Sequence, residues 1–433
     1  MTKNKNPWLW VPTLYFAEGL PYFLVNNISV IMFKNMGMSN GDLALYTSLL
    51  YLPWVIKPLW SPFVDVLKTK RWWIVTMQVL MAAAFCLLAF TLPRPSAQQI
   101  AGGNIGVSPF IVTLVIFYVT ALASATHDIA ADGYYMIALD NHTQSVFVGI
   151  RSTFYRIASV FGQGVLVVIA GLLERKTGNV PLAWTITIAF SAALLGGLAL
   201  WHAFQAPKVE AAPEKGRPAA EIFRELGRSF VTFFKKKQVW FAMVFMLLYR
   251  LPEAFSVKML NPFLLDSTAK GGLGLSTEMV GIVYGTVGVI ALTLGGILGG
   301  LAAGRWGLRK SLWPMALSLA LPCSVYLFMA ITQPAQIWVI TLCVALDQFG
   351  YGFGFTAYML YMMYFSEGEY KTSHYALCTA FMALSMMLPG LVAGHLQESL
   401  GYTGFFWMVM ICCLATVFVT FFAKVDPSYG KKN

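Results

Sequence analysis

The stretches WSPFVDVLKTKRWW (residues 60–73) and GGLAAGRWGLRKSL (residues 299–312) are short charged loops, each placed between two long apolar segments. The first combines Asp65 with the basic pair Lys70 and Arg71. The second carries three basic residues: Arg305, Arg309 and Lys310. Because related loops recur at corresponding positions of the two halves, the sequence predicts a parallel internal repeat.

The composition indicates an integral membrane protein. Of the 433 residues, 58% are hydrophobic and 11% are charged, whereas a soluble globular protein carries about 25% charged residues. The first apolar run follows Lys3 and Lys5 without a small-residue cleavage site, so we interpret it as an uncleaved span. All six cysteines lie in apolar runs, a pattern that predicts neither a disulfide framework nor a metal site.

A membrane-spanning helix needs about 20 mainly apolar residues. Twelve segments meet this requirement: 8–33, 42–64, 72–93, 109–138, 145–173, 181–205, 238–265, 276–303, 310–332, 336–365, 371–397 and 401–423. The longest polar stretch separates the first six segments from the last six. We therefore predict an all-α integral membrane protein with an N-terminal six-helix bundle (1–206), a cytoplasmic linker (207–237) and a C-terminal six-helix bundle (238–433).

The distribution of basic residues predicts the orientation in the membrane. Twenty of the 30 Lys and Arg residues fall on the side of the two termini and five on the opposite side. Cytoplasmic loops carry the excess of Lys and Arg, so both termini are predicted to be cytoplasmic. The net charge of +11 is then mostly a consequence of topology and does not indicate a nucleic-acid partner.

The linker contains apolar residues at helical spacing: Ile222, Phe223, Leu226, Phe230, Phe233 and Phe234. With basic residues between them, they predict an amphipathic helix on the inner leaflet of the membrane. A segment that merely tethers the two halves is the alternative, and the two interpretations are compatible.

The second loop resembles the G-x-L-A-D-R-x-G-R-K signature of the major facilitator superfamily. Five residues fit it, namely Gly300, Arg305, Gly307, Arg309 and Lys310, while Gly304 replaces the usual acid. Together with the six-plus-six division, the resemblance implies the major facilitator fold. The loop residues Asp65, Lys70, Arg71, Arg305 and Arg309 are then candidates for a conformational latch, with ordinary cytoplasmic charge as the alternative.

A Leu-Pro pair occurs at equivalent positions of the first and seventh spans, Leu20-Pro21 and Leu251-Pro252. Proline interrupts the hydrogen-bond ladder of a helix, and such interruptions are tolerated where the freed backbone groups line a cavity. We therefore predict a break in both spans.

Ten ionisable residues fall within the predicted spans. They are Glu18, Asp128, Asp132, Glu253, Asp347, Lys57, Arg151, Arg156, Arg250 and Lys258. Charge is costly in the membrane interior, so five acids and five bases indicate mutual neutralisation, and each residue is a functional candidate.

Three of these positions have distinct surroundings. Glu18 lies about 16 Å along its helix from Pro7, near the midplane, and suits proton or substrate binding or structural pairing. Arg250 and Glu253 are three residues apart and share a helix face, where an intrahelical ion pair is the alternative to substrate binding. Asp347 precedes the glycine- and aromatic-rich run QFGYGFGF.

Asp128 and Asp132 are four residues apart and therefore lie on one helix face. Arg151 and Arg156 follow on the next span about 140° apart, so one face cannot present both. We expect one arginine to pair with the aspartates and the other to remain available for an anionic group. The aspartates fit a proton site and, equally, a conformational latch.

Three stretches resemble the AmpG-type muropeptide permeases and the related acetyl-CoA transporters: FAEGLPYF, ASATHDIAADGYY and FYRIASVFGQG. Asp128, Asp132 and Arg156 match family positions, whereas His127 replaces the common Gln and Phe154 the common Gly. The resemblance implies proton-driven import of anhydromuropeptides, which are cell-wall fragments with an N-acetylglucosamine head, across the bacterial inner membrane.

We therefore predict a proton-coupled transporter, functioning as a monomer, that has no cofactor, metal or nucleic-acid partner. The expected proton-coupling residues are Asp128, Asp132, Glu18 and Asp347. The expected substrate-binding residues are Glu18, Tyr22, Arg156, Arg250, Glu253, Tyr351 and Tyr358. Since the sequence contains no P-loop or ATPase domain, the energy is expected to come from ion or substrate gradients.

Two alternatives remain open at this stage. One is a transporter of another oligosaccharide or of a CoA ester. The other is a polytopic membrane acyltransferase that uses His127 and Asp128, although a lone histidine in a span is more often a satisfied hydrogen-bonding residue.

Overall fold

A computed structural model describes residues 6–209, 219–368, 370–427 and 429 of the chain. Long helices make up most of this part. One apolar core cluster joins buried side chains from both halves of the chain, among them Phe33, Phe117, Phe263 and Phe406. The side chains of Asp65, Ile222 and Phe223, which entered the sequence predictions, lie outside the part that the structure describes.

The described part of the N-terminal half, from residue 6 onward, contains ten α-helices. They are α1 (Val11–Phe23), α2 (Ser29–Asn35), α3 (Asn40–Leu49), α4 (Leu52–Val66), α5 (Lys70–Thr91), α6 (Ala97–Gly102), α7 (Ile111–Ala138), α8 (Asn141–Val160), α9 (Val167–Thr177) and α10 (Val180–Gln205). The π-helical segments Leu24–Ile28 and Phe161–Leu166 connect α1 to α2 and α8 to α9. Short 3₁₀ turns at Pro7–Leu9 and Ser108–Phe110 precede α1 and α7.

The helix of the linker and those of the C-terminal half follow. They are α11 (Ala219–Phe234), α12 (Val239–Leu248), α13 (Leu251–Leu265), α14 (Thr277–Val280), α15 (Val289–Ala320), α16 (Ser324–Thr332), α17 (Ile337–Ser366) and α18 (Lys371–Phe422). A π-helical segment, Gly281–Gly288, connects α14 to α15. Two 3₁₀ turns lie at Thr268–Lys270 and Leu321–Cys323.

Within the described residues, nine helical runs have the length and apolar composition needed to cross a membrane. Two of them, Thr277–Thr332 and Lys371–Phe422, are much longer than one crossing requires. Each contains one residue with non-helical backbone angles, Gly307 (φ 78°, ψ 161°) in the first and Gly401 (φ 66°, ψ 172°) in the second. Glycine adopts positive φ without the steric cost of a Cβ, so the chain changes direction at these positions. The predicted span 42–64 coincides with α3 and α4, which are individually too short for that criterion.

The predicted proline breaks take two different forms. Pro252 lies in the first turn of α13, directly after α12 ends, so the expected break is present in the seventh span. The prediction is wrong for the first span, because Pro21 lies inside α1. The wider π-helical turn at Leu24–Ile28 follows Pro21, so the chain continues as one helical run to the end of α2.

The linker helix α11 packs against the C-terminal half. The ring of Phe233 is fully buried and lies 5.6 Å from Phe365 and 6.3 Å from Phe381, measured between ring centroids. The side chain of Lys236 donates a hydrogen bond to the carbonyl oxygen of Phe365 and another, at 2.7 Å, to that of Glu367. A lysine cation at the C-terminal end of α17 is favourable because the helix dipole is negative there.

Candidate functional site

An acidic and basic cluster lies between α1, α4, α7 and α8 in the N-terminal half. Asp128 forms an ion pair with Lys57, and the side chains of both are about three-quarters buried. One turn further along α7, a carboxylate oxygen of Asp132 lies 2.9 Å from the guanidinium of Arg151 and accepts a hydrogen bond of 3.1 Å from the hydroxyl of Tyr15. The two aspartates on one helix face are therefore paired with cations from two different helices.

Arg151 is held in place by two aromatic rings as well as by its carboxylate partner. Its guanidinium carbon lies 4.5 Å from the ring centroid of Tyr15 and 5.1 Å from that of Tyr135. Cation–π contacts of this length favour a fixed orientation of the arginine. One of the two arginines was expected to pair with the aspartates, and Arg151 pairs with one of them, Asp132.

Glu18 belongs to the same cluster but forms no ion pair with any of the described residues. It lies one turn after Tyr15 on α1, is 9% exposed, and its Oε2 atom has no hydrogen-bond partner among the described residues. It is within electrostatic range of Asp128, Asp132, Arg151 and Lys57. The cluster therefore combines three carboxyl groups with two cations, and Glu18 is the carboxyl group without an ion pair.

His127 takes part in a buried polar chain that crosses the N-terminal half. Its Nε2 lies 2.9 Å from the side-chain amide of Gln78, whose oxygen lies 2.9 Å from Nδ1 of His202. Nε2 of His202 in turn lies 2.9 Å from the hydroxyl of Thr13. His127 is thus a hydrogen-bonded structural residue in a different contact set from Asp128, whose partner is Lys57, so the two do not act as one pair.

Arg156 lies apart from the acidic cluster. It lines a groove of about 410 Å³ between the second half of α8 and the start of α15, together with mostly apolar residues such as Ile157 and Leu294. Among the described residues, Arg156 has no ion pair with a carboxylate. Its guanidinium is therefore available to an anionic group, as expected for the second arginine.

A second polar cluster lies in the C-terminal half, at the start of α13. Arg250 and Glu253 form a bidentate pair, with Nε–Oε2 and Nη2–Oε1 distances of 2.8 and 3.2 Å, and both are almost fully buried. Arg250 also donates a hydrogen bond of 3.0 Å to the hydroxyl of Tyr351. Its guanidinium lies over the rings of Phe355 and Tyr358, at 4.6 and 5.6 Å. The intrahelical ion pair considered from the sequence is therefore present.

Two of the expected site residues have structural hydrogen bonds or ring contacts. The hydroxyl of Tyr358 donates to the backbone oxygen of Met246 at 2.7 Å, which leaves its ring as the surface for further contacts. Tyr22 packs edge-on against Trp54 with ring centroids 5.1 Å apart, facing α4.

Asp347 is a buried carboxyl group without a cation partner among the described residues. One of its oxygens accepts a hydrogen bond of 2.6 Å from the hydroxyl of Tyr326 and one of 3.1 Å from the amide of Gln348. It is 6% exposed. Asp347 therefore resembles Glu18 in lacking a cation, although its hydrogen bonds are better satisfied.

The candidate latch residues whose side chains the structure describes are divided between the two halves of the chain. Arg71 donates to the backbone oxygens of Ala203 and Ala206, so it caps the C-terminal end of α10 within the N-terminal half. The side chain of Lys70 lies against Gly133 of α7. Arg305 and Arg309 are exposed on the opposite half.

The two halves of the chain are joined at one end of the bundle, where α2 meets α3 and where α13 ends. Lys34 forms an ion pair of 2.7 Å with Asp266, and Tyr402 donates to the same carboxylate at 2.6 Å. The amide of Asn40 reaches Asp266, Gln397 and Tyr402 at 3.2, 2.7 and 3.1 Å. We call these five residues the closed end.

A second group of contacts reinforces the closed end from the side of α9. Glu174 accepts hydrogen bonds from Asn35 at 3.0 Å and from Thr277 at 2.5 Å. The two halves are also closely packed where the π-helical segments Phe161–Leu166 and Gly281–Gly288 face each other. A methyl group at Gly285 would lie 1.8 Å from the backbone oxygen of Gln163. The halves are therefore in contact at backbone distance on this side.

Sequence reasoning missed the partner of Asp128 and the composition of the closed end. Lys57 was recognised as an intramembrane base, but its pairing depends on how α4 crosses α7. A signal for the closed end does exist in the sequence. Lys34 and Asp266 directly follow the first predicted span of each half, so a cation and an acid occupy equivalent positions of the repeat.

Comparisons with known proteins agree with this architecture. A family model described as the BT1 family matches residues 18–301, and one described as the Major Facilitator Superfamily matches residues 251–433. An uncharacterized protein of Haemophilus influenzae is 24% identical, over 96% of this chain and 94% of that protein. The anhydromuropeptide permease of Escherichia coli is 22% identical, over 97% of this chain and 80% of the permease.

Solved structures show the same fold at lower identity. A point mutant of the nucleoside transporter NupG superposes with a TM-score of 0.70 at 16% identity, covering 96% of this chain and 98% of that chain. The D-xylose-proton symporter superposes with a TM-score of 0.69 at 13% identity, covering 98% of both chains.

Proposed function

Because this chain belongs to the BT1 family and is a multi-pass membrane transporter of the major facilitator type, we propose that it imports GlcNAc-anhydromuropeptide together with protons. The solute is suggested by the relative named anhydromuropeptide permease, and proton coupling by the fold shared with a D-xylose-proton symporter. Since its relatives and structural neighbours are transporters, the protein is not an enzyme.

The proposed architecture has twelve spans in two six-helix bundles, 1–206 and 238–433, joined by the linker 207–237. The count follows from the nine long helical runs if the two longest are divided at Gly307 and Gly401 and the α3–α4 pair is added as a span. With the excess of basic residues on the side of the termini, both termini are cytoplasmic and the closed end faces away from the cytoplasm. We propose a monomer in the bacterial inner membrane.

The observation that carries the proton proposal is the unpaired carboxyl group of Glu18. Asp128 and Asp132 each have a cation partner, so the cluster of three acids and two bases has one negative charge in excess when all groups are ionised. An uncompensated charge is costly in the membrane interior. One proton, held at Glu18, makes the cluster neutral, which is the property that a one-proton coupling site needs.

We propose a different role for each of the two polar clusters. Asp128, Asp132 and Glu18 bind and release the proton, and Asp347 is a second protonation site in the other half. Arg250, Glu253 and the aromatic rings of Tyr22, Tyr351 and Tyr358 contact the solute, because aromatic faces stack on sugars and the arginine attracts anions. Arg156 offers a further cation from α8. The loop residues Asp65, Lys70, Arg71, Arg305 and Arg309 remain a proposed latch at the cytoplasmic side.

Uptake into proteoliposomes tests this function. We expect wild-type protein to accumulate labelled GlcNAc-anhydromuropeptide in response to an inward proton gradient, by up to about tenfold per pH unit for one coupled proton. Glu18→Gln is expected to exchange solute across the membrane without a gradient but to lose the accumulation. Glu367→Gln, which changes an exposed acid outside the cluster, is the matched control and is expected to behave as wild type.

Three outcomes discriminate between the alternatives. Full accumulation by Glu18→Gln would contradict the coupling role of this residue. Uptake that is inhibited by other oligosaccharides or by acetyl-CoA, and not by muropeptide, would change the proposed substrate. Absence of any uptake by wild type in tight, correctly oriented vesicles would refute the muropeptide proposal.

A further inference from the structure

The groove that contains Arg156 lies on the flank of the molecule, where α8 of the N-terminal half meets α15 of the C-terminal half. Its volume of about 410 Å³ is within the range of about 300–1,000 Å³ that is typical of ligand pockets. Ile157, Ile290 and Leu294 on its walls are each about half exposed. Because exposed aliphatic side chains of spanning helices contact the lipid tails, the groove opens to the bilayer.

Arg156 is the charged residue of this groove. Within the described residues, its guanidinium has neither an ion pair nor a hydrogen-bond acceptor. A methyl group at Gly296 of α15 would lie 3.5 Å from its Nη2 atom, so the side chain reaches the opposite wall. The hydroxyls of Thr153 and Thr293 donate to backbone oxygens of their own helices, at 2.9 and 2.7 Å. The guanidinium therefore supplies the unused donors of the groove.

The charged and apolar parts of the groove are separated along its length. Starting from Arg156, the wall formed by α8 and the segment after it continues for nine residues, or about 13 Å, to Val165. The side chains that line this stretch are apolar, namely Ile157, Val160, Phe161 and Val165. The groove is thus an apolar channel with a cation toward one end.

The cation lies near a boundary of the hydrocarbon layer. Arg156 precedes Glu174, which reinforces the closed end, by 18 residues, or about 27 Å along the helical axis. The hydrocarbon layer is about 30 Å thick, so Arg156 lies near the boundary opposite the closed end. In the orientation proposed above, that boundary is the cytoplasmic one, and the apolar walls extend from it toward the middle of the bilayer.

We infer that this groove binds an anionic phospholipid of the cytoplasmic leaflet, with its phosphate on Arg156 and one acyl chain along the apolar walls. A cation at the membrane boundary and apolar residues toward the middle match the order of headgroup and tail in such a lipid. A guanidinium binds phosphate oxygens through two parallel hydrogen bonds. The lipid also compensates a cation that is otherwise costly beside the hydrocarbon.

The net charge of the headgroup selects among phospholipids. A zwitterionic headgroup carries an ammonium group that competes with Arg156 for the phosphate, whereas an anionic headgroup does not. Since the walls come from both halves, a bound lipid contacts both and favours the arrangement in which the groove has this shape. A lipid phosphate and an anionic group of the solute are then alternative partners of Arg156.

Native mass spectrometry of the purified full-length protein, freed of copurified lipid, tests the inference. The probes are phosphatidylglycerol and phosphatidylcholine with identical acyl chains, and glycerol phosphate as a headgroup without a tail. One basic residue at an open anionic membrane surface contributes about fivefold in affinity, so in this apolar groove wild type is expected to prefer phosphatidylglycerol over phosphatidylcholine by about tenfold. Glycerol phosphate is expected to bind at least about 100-fold more weakly than phosphatidylglycerol, because it buries no acyl chain.

Two pairs of variants locate the lipid. Arg156→Gln is expected to abolish the preference for phosphatidylglycerol, whereas Arg228→Gln, which changes an exposed arginine outside the groove, is expected to keep it. Leu294→Trp narrows the groove and is expected to weaken binding of both lipids by at least about fivefold. Leu301→Trp is its control, because Leu301 is exposed on the same helix outside the groove. The thermal unfolding midpoint without lipid shows whether each variant is folded.

Three results would overturn the inference. They are equal affinity of wild type for the two lipids, a preference that Arg156→Gln retains, and unchanged binding of both lipids to Leu294→Trp. Glycerol phosphate that binds as tightly as phosphatidylglycerol would replace the lipid site with a site for a soluble anion. Since no solute or proton gradient is present, these outcomes are independent of whether the proposed transport is observed.

Discussion

Replacing Asp266 by Asn is expected to open the closed end. The carboxylate of Asp266 is the centre of this set of contacts, because Lys34, Asn40 and Tyr402 all converge on it. Asparagine keeps an oxygen that accepts from Tyr402 but removes the charge that compensates Lys34. The closed arrangement would then bury an unpaired lysine, whereas the open arrangement exposes it to water.

The magnitude follows from the burial of the pair. The side chains of Lys34 and Asp266 are 8% and 9% exposed. Removing one partner of a pair this buried typically costs about 3–5 kcal/mol. Since each 1.4 kcal/mol is a factor of about ten, the ratio of open to closed protein is expected to rise by about two to three and a half orders of magnitude.

Cysteine labelling measures this change without reference to the solute. Met386 lines a narrow gap between the two halves, together with Asn26 and Lys258. Met386→Cys, in a background from which the six native cysteines are removed, therefore reports access from the side of the closed end. A membrane-impermeant maleimide is added on that side. It is expected to react faster with the cysteine at position 386 in Asp266→Asn than in the parent. The rate reaches its upper limit once the open form predominates. Lys270→Gln is the control, because Lys270 contacts the other half through an exposed, 3.4 Å hydrogen bond to the carbonyl of Gly102.

Two results would refute the reasoning. One is an unchanged labelling rate in Asp266→Asn, which would mean that the ion pair does not hold the halves together. The other is an equally large increase in Lys270→Gln, which would mean that any polar contact between the halves suffices. Lys34→Gln is expected to act in the same direction as Asp266→Asn, because it leaves the carboxylate unpaired.

Two further substitutions test the packing between the halves and the acidic cluster. Gly285→Ala is expected to disfavour the closed arrangement by about 1–3 kcal/mol, because the new methyl group overlaps a backbone oxygen of the other half, and faster labelling of Met386→Cys measures this. Gly300→Ala meets no atom within 4 Å and is expected to label at the parent rate. Arg151→Gln is expected to lower the stability by only about 1 kcal/mol, because the ion pair of Arg151 with Asp132 is about a third exposed. The same substitution is expected to abolish proton-driven uptake. Uptake at the wild-type rate would exclude Arg151 from coupling.

The acidic cluster could be predicted from sequence to a useful degree. The four-residue spacing of Asp128 and Asp132 requires a common helix face, and the angular separation of Arg151 and Arg156 requires that they point in different directions. Both conclusions depend only on helix geometry. Which arginine forms the ion pair with an aspartate depends on how α8 is rotated against α7. Local sequence contains no information about that rotation.

The contacts between the two halves were not predictable in the same way. In the sequence, Lys34 is one of the five basic residues on the non-cytoplasmic side, and Lys258 is one of five bases within spans. Their roles follow from packing between α2, α3, α13 and α18, where Lys34 meets an acid and Lys258 does not. Opposite charges at equivalent ends of a repeat are a signal that sequence alone provides, and Lys34 with Asp266 is an instance of it.

The helical run from α1 to α2 connects the proposed proton site to the closed end. Glu18 and Asn26 are eight residues apart on this run, about 12 Å along its axis, and the π-helical segment Leu24–Ile28 that carries Asn26 begins directly after α1. The same run ends near Lys34, whose ion pair with Asp266 holds the closed end. Protonation of Glu18 and the opening of the closed end therefore act on one continuous element. Through it, the free energy of opening the closed end can depend on whether Glu18 carries a proton, which is the coupling that a proton-driven transporter needs.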